Sequence, residues 1–263
     1  GTYSYLKTVA NGGYVQNSSG YYIRFETTGG VKLSHEIERW VASTGETIAW
    51  IKIPSLPYAT AYTLYVYYGK PGLATPETDT QNVWTSSYQG VWHLKNGTTL
   101  SGGDSTSGGR NLTNYGAAAV AGKIDGAAET DGSSTYMRRT SATSTATDNF
   151  TVSAWVDADP SSGATVVKNG TTSSGWGIGT SSSNWAFKIN SSTISANCSA
   201  TDTTYVVYVR EGGTSRMYKN GVACSTTSTT SPSSPGSGTS LGVERATTGT
   251  LRNYLFAELD EVR

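Results

Sequence analysis

Apolar and polar residues alternate from Phe150 to Asp157. Phe150, Val152, Ala154 and Val156 fall on one side, and Thr151, Ser153, Trp155 and Asp157 on the other. A period of two belongs to a strand with one buried face. Trp155 then stands either on a binding face or under a loop; with Trp50 and Trp92 it is read as core. The same reading places strands at 21–26, 47–53 and 61–68, then at 90–94, 164–168, 176–179, 185–190, 204–210, 215–219, 240–243 and 253–262. Asn220-Gly221 after Lys219 is a type I′ hairpin signal, because both residues tolerate positive φ. No stretch shows an amphipathic helix of useful length. Short strands with Gly-rich turns predict an all-β chain built as a sandwich or jelly roll. The Pro/Gly-marked connector Lys70–Glu77 sets the domain boundary, giving a small β-domain at 1–80 and a larger one at 84–263. The Ser/Thr/Pro-rich stretch Ser225–Ser237 and the Ser/Gly-rich stretch Ser101–Gly109 read as long exposed loops.

Composition narrows the partners. Charged residues are 14% of the chain and sum to zero, which leaves no electrostatic footprint for a phosphate backbone. Nucleic acid is therefore not an expected partner. No apolar run reaches the ~20 residues that cross a bilayer, so no membrane insertion is expected. The 7 Trp and 17 Tyr supply the burial that a 36% hydrophobic content otherwise lacks. Ser, Thr, Gly and Asn solvate the surface, as in secreted β-proteins, so the expected location is extracellular or on a cell or virion surface. Cys198 and Cys224 are the only cysteines; they form a disulfide between antiparallel neighbours or remain two thiols. Candidate glycosylation sequons begin at Asn17, Asn96, Asn111, Asn169 and Asn190.

Two sets of motifs carry a family resemblance. HEIERW from His35, AWIKIPSLP from Ala49 and LYVYYGKP ending at Pro71 resemble a small all-β domain of unknown function that often precedes concanavalin A-like domains. VWHL at Val91–Leu94, AGKIDGAAETDG at Ala121–Gly132, FTVSAWV, MYKNGVAC and AELDEVR resemble a laminin-G/concanavalin A-like domain. The resemblance implies an antiparallel jelly-roll sandwich that displays ligand loops along an edge or a concave face. It implies binding of glycans, proteins or structural calcium, and a role in adhesion. This chain departs from the pattern. Thr135 stands where an acidic residue is common, Tyr205 where a Trp is usual, and both ends are short of the family pattern.

Candidate chemistry follows from these segments. Sugar rings stack on aromatic planes while polar groups hold their hydroxyls, and Trp176, Trp185 and Tyr136 flank polar loops. For calcium, Asp131, Glu129, Glu258 and Asp260 meet if the last strand lies beside the Asp-Gly segment, with Asp125 a further option; otherwise they are solvated acids. Glu258 and Asp260 share a strand face, as paired carboxylates of a glycanase do, but position 262 is Val and the third carboxylate is missing. His93 and His35 have no nucleophile beside them. The chain is thus expected to be a non-catalytic module that recognises glycans or surface proteins. Two alternatives stand. One is a subunit of an extracellular filament, pilus or virus fibre that self-associates by strand addition at an open edge. The other is a glycoside hydrolase.

Overall fold

The computed structural model describes residues 1–95, 99–158 and 163–263. The chain divides into two units: residues 1–88 with 105–107, and residues 89–104 with 108–263. In both, the strands pair antiparallel; the first unit also has long connections and short helical turns at Ser4–Leu6, Val9–Asn11 and Thr80–Val83.

In the first unit, β1 (Arg24–Thr27), β2 (Lys32–Leu33) and β5 (Leu64–Tyr67) form a sheet in the order β2-β1-β5, while β3 (His35–Val41) and β4 (Glu46–Ile51) form a hairpin. Its core is Val15, Tyr22, Ile23, Phe25 and Leu33, with Ile37, Trp40 and Ile51 packed against it. The acidic-aromatic motif is structural. Glu36 and Glu38 are buried, and each accepts an indole N–H: Trp84 Nε1 donates to Glu36 at 3.1 Å and Trp50 Nε1 to Glu38 at 2.5 Å. Buried carboxylates need such donors, which explains acids inside an aromatic strand pair. His35 is fully buried, with carbonyl oxygens of Leu33 and Ile23 at 3.1 and 3.0 Å from its ring nitrogens.

The second unit is a sandwich. Its strands are β6 (Thr113–Tyr115), β7 (Ala118–Ala121), β8 (Gly126–Asp131), β9 (Tyr136–Arg139), β10 (Phe150–Ala158), β11 (Thr165–Thr171) and β12 (Ser174–Ser181). They continue as β13 (Asn184–Ile189), β14 (Ser192–Ser199), β15 (Thr204–Glu211), β16 (Thr214–Lys219), β17 (Val222–Ala223) and β18 (Thr239–Leu241). The hairpin β19 (Glu244–Arg245) and β20 (Leu251–Arg252) precedes the last strand, β21 (Phe256–Asp260). One seven-stranded sheet runs β17-β16-β15-β10-β21-β8-β7; the other runs β14-β13-β12-β11-β18-β9-β6. Val152, Ala154, Val156, Ala128, Ala257 and Leu259 of the first meet Trp185, Phe187, Ile178, Val167, Met137 and Leu241 of the second in one core. As the alternation requires, Trp155 points away from that core.

The structure bears on three expectations. The C-terminal strand lies inside its sheet, paired with β10 on one side and β8 on the other, so it is not itself an edge; the edge strands are β17 and β7 in this sheet and β14 and β6 in the other. The stretch 225–237 is exposed along most of its length, as expected, and is anchored where Ser228 exchanges backbone hydrogen bonds with Ser215 and where Ser228, Pro232 and Pro235 are buried. Cys198 and Cys224 are bonded, but not as neighbours in one sheet. Cys198 lies in β14 and Cys224 just past β17, so the bond joins the edge strands of opposite layers. With a sequence separation of 26, replacing both by serine is expected to cost about 3 kcal/mol in denaturant unfolding under non-reducing conditions. An unchanged midpoint would show that the cross-link adds nothing.

Candidate functional site

The outward face of the first sheet carries the chemistry. Strand pairing sets it out in two rows. Trp155 of β10 stands between Tyr205 of β15 and Asp260 of β21. In the next row Asp157 of β10 faces Glu258 of β21, which faces Glu129 of β8. Directly opposed residues have Cβ atoms about 4.5–5.5 Å apart, so both rows are close neighbours. The turn between β7 and β8 rises beside them and brings Lys123 over the indole, its Nζ 5.3 Å from the Trp155 ring centre. Tyr205 flanks the same indole with ring centres 5.2 Å apart. Beside these rows lies an open pocket of about 230 Å³ whose lining includes Lys123, Trp155, Asp157, Thr203, Glu258 and Asp260.

The electrostatics are acidic and partly desolvated. Asp260 is 3% exposed; its Oδ2 accepts the backbone N–H of Ile124 at 2.7 Å. Its buried Oδ1 has no partner with hydrogen-bonding geometry. Burial pushes the Asp260 carboxyl up to about 7, with Glu261 adding to the rise and backbone N–H groups opposing it. Burial also raises Glu258, and the facing Asp157 and Glu129 raise it further. Asp157 of β10 and Glu129 of β8 add two carboxylates to the row of Glu258, while position 262 is a buried Val.

Other candidate positions lie elsewhere. Trp185 is fully buried, and Trp176 is 6% exposed, stacked on Phe150 at 4.1 Å with its N–H given to Ala146 O. Neither offers a free face to a sugar; both are core. Tyr136 is half-buried and stacks on the exposed Tyr115 at 4.6 Å, with Tyr254 at 6.3 Å, on the edge of the other sheet. Asp131 is exposed and organises its own turn. Its oxygens accept the backbone N–H groups of Ser133, Ser134 and Thr135 and the Ser134 hydroxyl. That hydroxyl first, then the N–H groups, holds its carboxyl well below the usual carboxylate range. The last strand does pair with the Asp-Gly segment, yet the acids Asp131, Glu129, Glu258 and Asp260 spread along two strands rather than around one point. Among the described residues no three of them bring ligand atoms within 4.8 Å of one another.

Of the sequons, Asn169 is 1% exposed and its amide is spent on Thr143, Thr239 and Ser144, so it cannot carry a glycan in this fold. Asn190 binds Ser231 and Ser233 through both amide atoms. Asn17 is half-buried and Asn111 exposed, each using only its Oδ1 to hold a local N–H. Asn96 lies outside the described residues.

Comparison with known proteins agrees with the architecture. Residues 131–263 match the model of the Concanavalin A-like lectin/glucanases superfamily, and residues 19–92 match that of a Domain of unknown function (DUF2341). Comparison with the curated proteins finds no match. Among solved structures, the chain resembles domain 4 of AbnA, a GH43 extracellular arabinanase from Geobacillus stearothermophilus, in complex with arabinotriose. The TM-score is 0.53 at 18% identity, over 66% of this chain and 90% of that one. It also aligns with the HCR/D F1240A mutant at a TM-score of 0.47 and 12% identity, over 67% of this chain and 47% of that one. Among the described residues no helix is long and apolar enough to cross a membrane. With the sandwich, its strand order and the matched segment in agreement, the chain belongs to the concanavalin A-like lectin/glucanases superfamily.

Proposed function

We propose that the sandwich unit is a non-catalytic glycan-binding module acting outside the cell, with its ligand seated against Trp155. The observation that carries this reading is the pocket itself: a half-exposed indole bordered by Tyr205 and by three carboxylates from adjacent strands. An aromatic plane takes the C–H face of a pyranose or furanose, and carboxylates accept its hydroxyl donors. The similar arabinanase domain was solved with an oligosaccharide, which supports the same ligand class here. The Cys198–Cys224 disulfide and the near-neutral, Ser/Thr-rich surface fit an oxidising, extracellular setting.

A glycan array followed by calorimetry on the best hit tests this. Trp155→Ala is expected to weaken binding about 10- to 100-fold, the value of one buried aromatic face. Tyr136→Ala, on the other sheet, is expected to leave affinity within about twofold. The reverse pattern moves the site to the Tyr115–Tyr136 stack, and silence across the array removes the glycan reading altogether.

Hydrolysis is the second reading, favoured by one observation: the Asp260 carboxyl is raised to about 7 beside Glu258, a range suited to a general acid. The expected result is no release of reducing ends from any bound glycan. Release that disappears in both Glu258→Gln and Asp260→Asn would make the unit a hydrolase instead.

A further inference from the structure

We propose that this pocket selects a ligand carrying a protonated amine, an unacetylated amino sugar within a glycan chain. The proposal rests on the glycan-binding reading and names the sugar class.

The first observation is Lys123. Its side chain is exposed, and its ammonium lies 5.3 Å over the Trp155 ring. Among the described residues it makes no ion pair with the acids around it. A chain that places its own ammonium against the indole shows that the ring face is open to a cation, where quadrupole attraction holds it. Lysine is a flexible point charge on a four-carbon stem, so it can yield the position to a ligand amine.

The second observation is Asp260. The carboxyl is nearly closed to solvent, lines the pocket, and gives Oδ1 no hydrogen bond of normal geometry, although the backbone N–H groups of Glu261 and Lys123 help to hold its charge. A buried acceptor of that kind costs free energy until a donor arrives. Around it stand Asp157 and Glu258, with Glu129 behind Glu258, against Lys123, the one cation among the described residues that line the pocket. A neutral hydroxyl brings one donor and no charge. An ammonium brings three donors and a compensating charge, and charge-assisted bonds are the stronger ones. A uronic acid would meet like charge. The pocket, at about 230 Å³, is smaller than drug-sized sites of ~300–1,000 Å³ and suits one sugar ring rather than a larger group.

The test is calorimetric titration of the full chain near neutral pH, where Asp260 is partly ionised. The probes are β-1,4-linked glucosamine tetramer, its fully N-acetylated counterpart, and a uronate tetramer. The amine-bearing tetramer is expected to bind at least about tenfold more tightly than the acetylated one, with no uronate binding. The preference should shrink in Glu258→Gln and fall with added salt. Lys123→Ala, which removes the internal competitor from an exposed position, should tighten binding. Equal or better binding of the acetylated tetramer overturns the inference and leaves the glycan reading in place. So does tighter binding of free lysine than of the tetramer, which would show that the amine alone is read. If Trp155-dependent binding to every glycan is absent, the broader reading falls and this one with it. Circular dichroism of Glu258→Gln confirms that a lost preference does not come from a lost fold.

Discussion

Replacing Arg210 with alanine is expected to lower the unfolding free energy by about 3–5 kcal/mol, the largest effect of any single change outside the aromatic core. Arg210 lies on the core side of β15, 2% exposed, beyond Val206 and Tyr208. Its guanidinium gathers three segments. Nε donates to Thr147 O at 3.0 Å, ahead of β10. Nη1 donates to Ser215 Oγ at 3.0 Å, in β16, and to Thr230 O at 2.9 Å, while Nη2 reaches Ser231 Oγ at 3.2 Å. Asp148 supplies the nearby charge at 3.7 Å. Deleting the side chain leaves buried carbonyls and hydroxyls without a donor, at about 1–3 kcal/mol for each group not reached by water. For a chain of this size that is a drop of roughly 6–20 °C in melting temperature. The stretch 225–237 should loosen with it. Amide exchange at Thr226 and Ser228, whose N–H groups bond Ala196 O and Ser215 O, is the local readout. Arg210→Met keeps the stem but not the donors, so equal loss in both variants would assign the effect to hydrogen bonding. A full rescue by methionine would assign it to packing.

The second large effect is expected at Glu244. Lys168 of β11 and Lys188 of β13 face each other across Gly177, and both are almost entirely buried. Glu244 sits between them, its oxygens 3.9 and 4.0 Å from the two ammonium groups, and also takes Asn253 Nδ2 at 2.6 Å. Lys168 donates to Asn190 O and Lys188 to Gly163 O. Burial pulls Lys168 down to about 8 while Glu244 opposes the fall; burial lowers Lys188 as well. Glu244→Gln removes the one anion placed against both lysines among the described residues and should cost about 3 kcal/mol or more near neutral pH.

The pH dependence has a definite sign. Between about 8 and the ordinary value of 10.5 the unfolded chain holds the Lys168 proton and the folded chain does not. The unfolded state binds more protons there, so this residue makes stability rise with pH across that window. Without Glu244 the folded value falls further and the window widens downward. The penalty of Glu244→Gln should therefore shrink as pH rises from 7 towards 10, measured by denaturant midpoints. A penalty independent of pH would mean that Glu244 acts through Asn253 and packing alone.

The parts of the fold legible in the sequence are those where side-chain chemistry differs between the two faces. Phe150–Ala158 alternates apolar with mostly polar residues, whereas Thr204–Glu211 was legible as an unbroken β-branched and aromatic run, and both lie within a residue or two of the strands read from the sequence. The strands Ala118–Ala121, Gly126–Asp131 and Ser192–Ser199 did not stand out by period, because Ala, Gly, Ser and Thr differ little between inside and outside. Of the three only Gly126–Asp131 is largely buried, and its burial is imposed by neighbours, not by its own hydrophobicity. Lys168, Lys188 and Arg210 sit in strands at positions that a polarity pattern assigns to water, and only partners remote in sequence make them internal.

The site was half legible for the same reason. That Glu258 and Asp260 share a face follows from local alternation. That Asp157 and Glu129 stand beside them depends on register between β21 and its two neighbours, more than a hundred residues away in sequence. Trp155 was assignable to the polar face by period, yet its bulk argued for core. Trp176 and Trp185, next to polar turns, are core because their strands turn them inward.

The two layers are joined at both flanks. On one flank Gly116 and Ala117 carry the chain directly from β6, the edge of one sheet, to β7, the edge of the other. On the opposite flank Cys198 and Cys224 do the same through sulfur. The sandwich is thus a covalent hoop around its own core. Reduction cuts that hoop at one place, yet Ala200–Thr203 still carries the chain from β14 to β15 on the same side, so the loosening is confined to the strand ends beside the sulfurs.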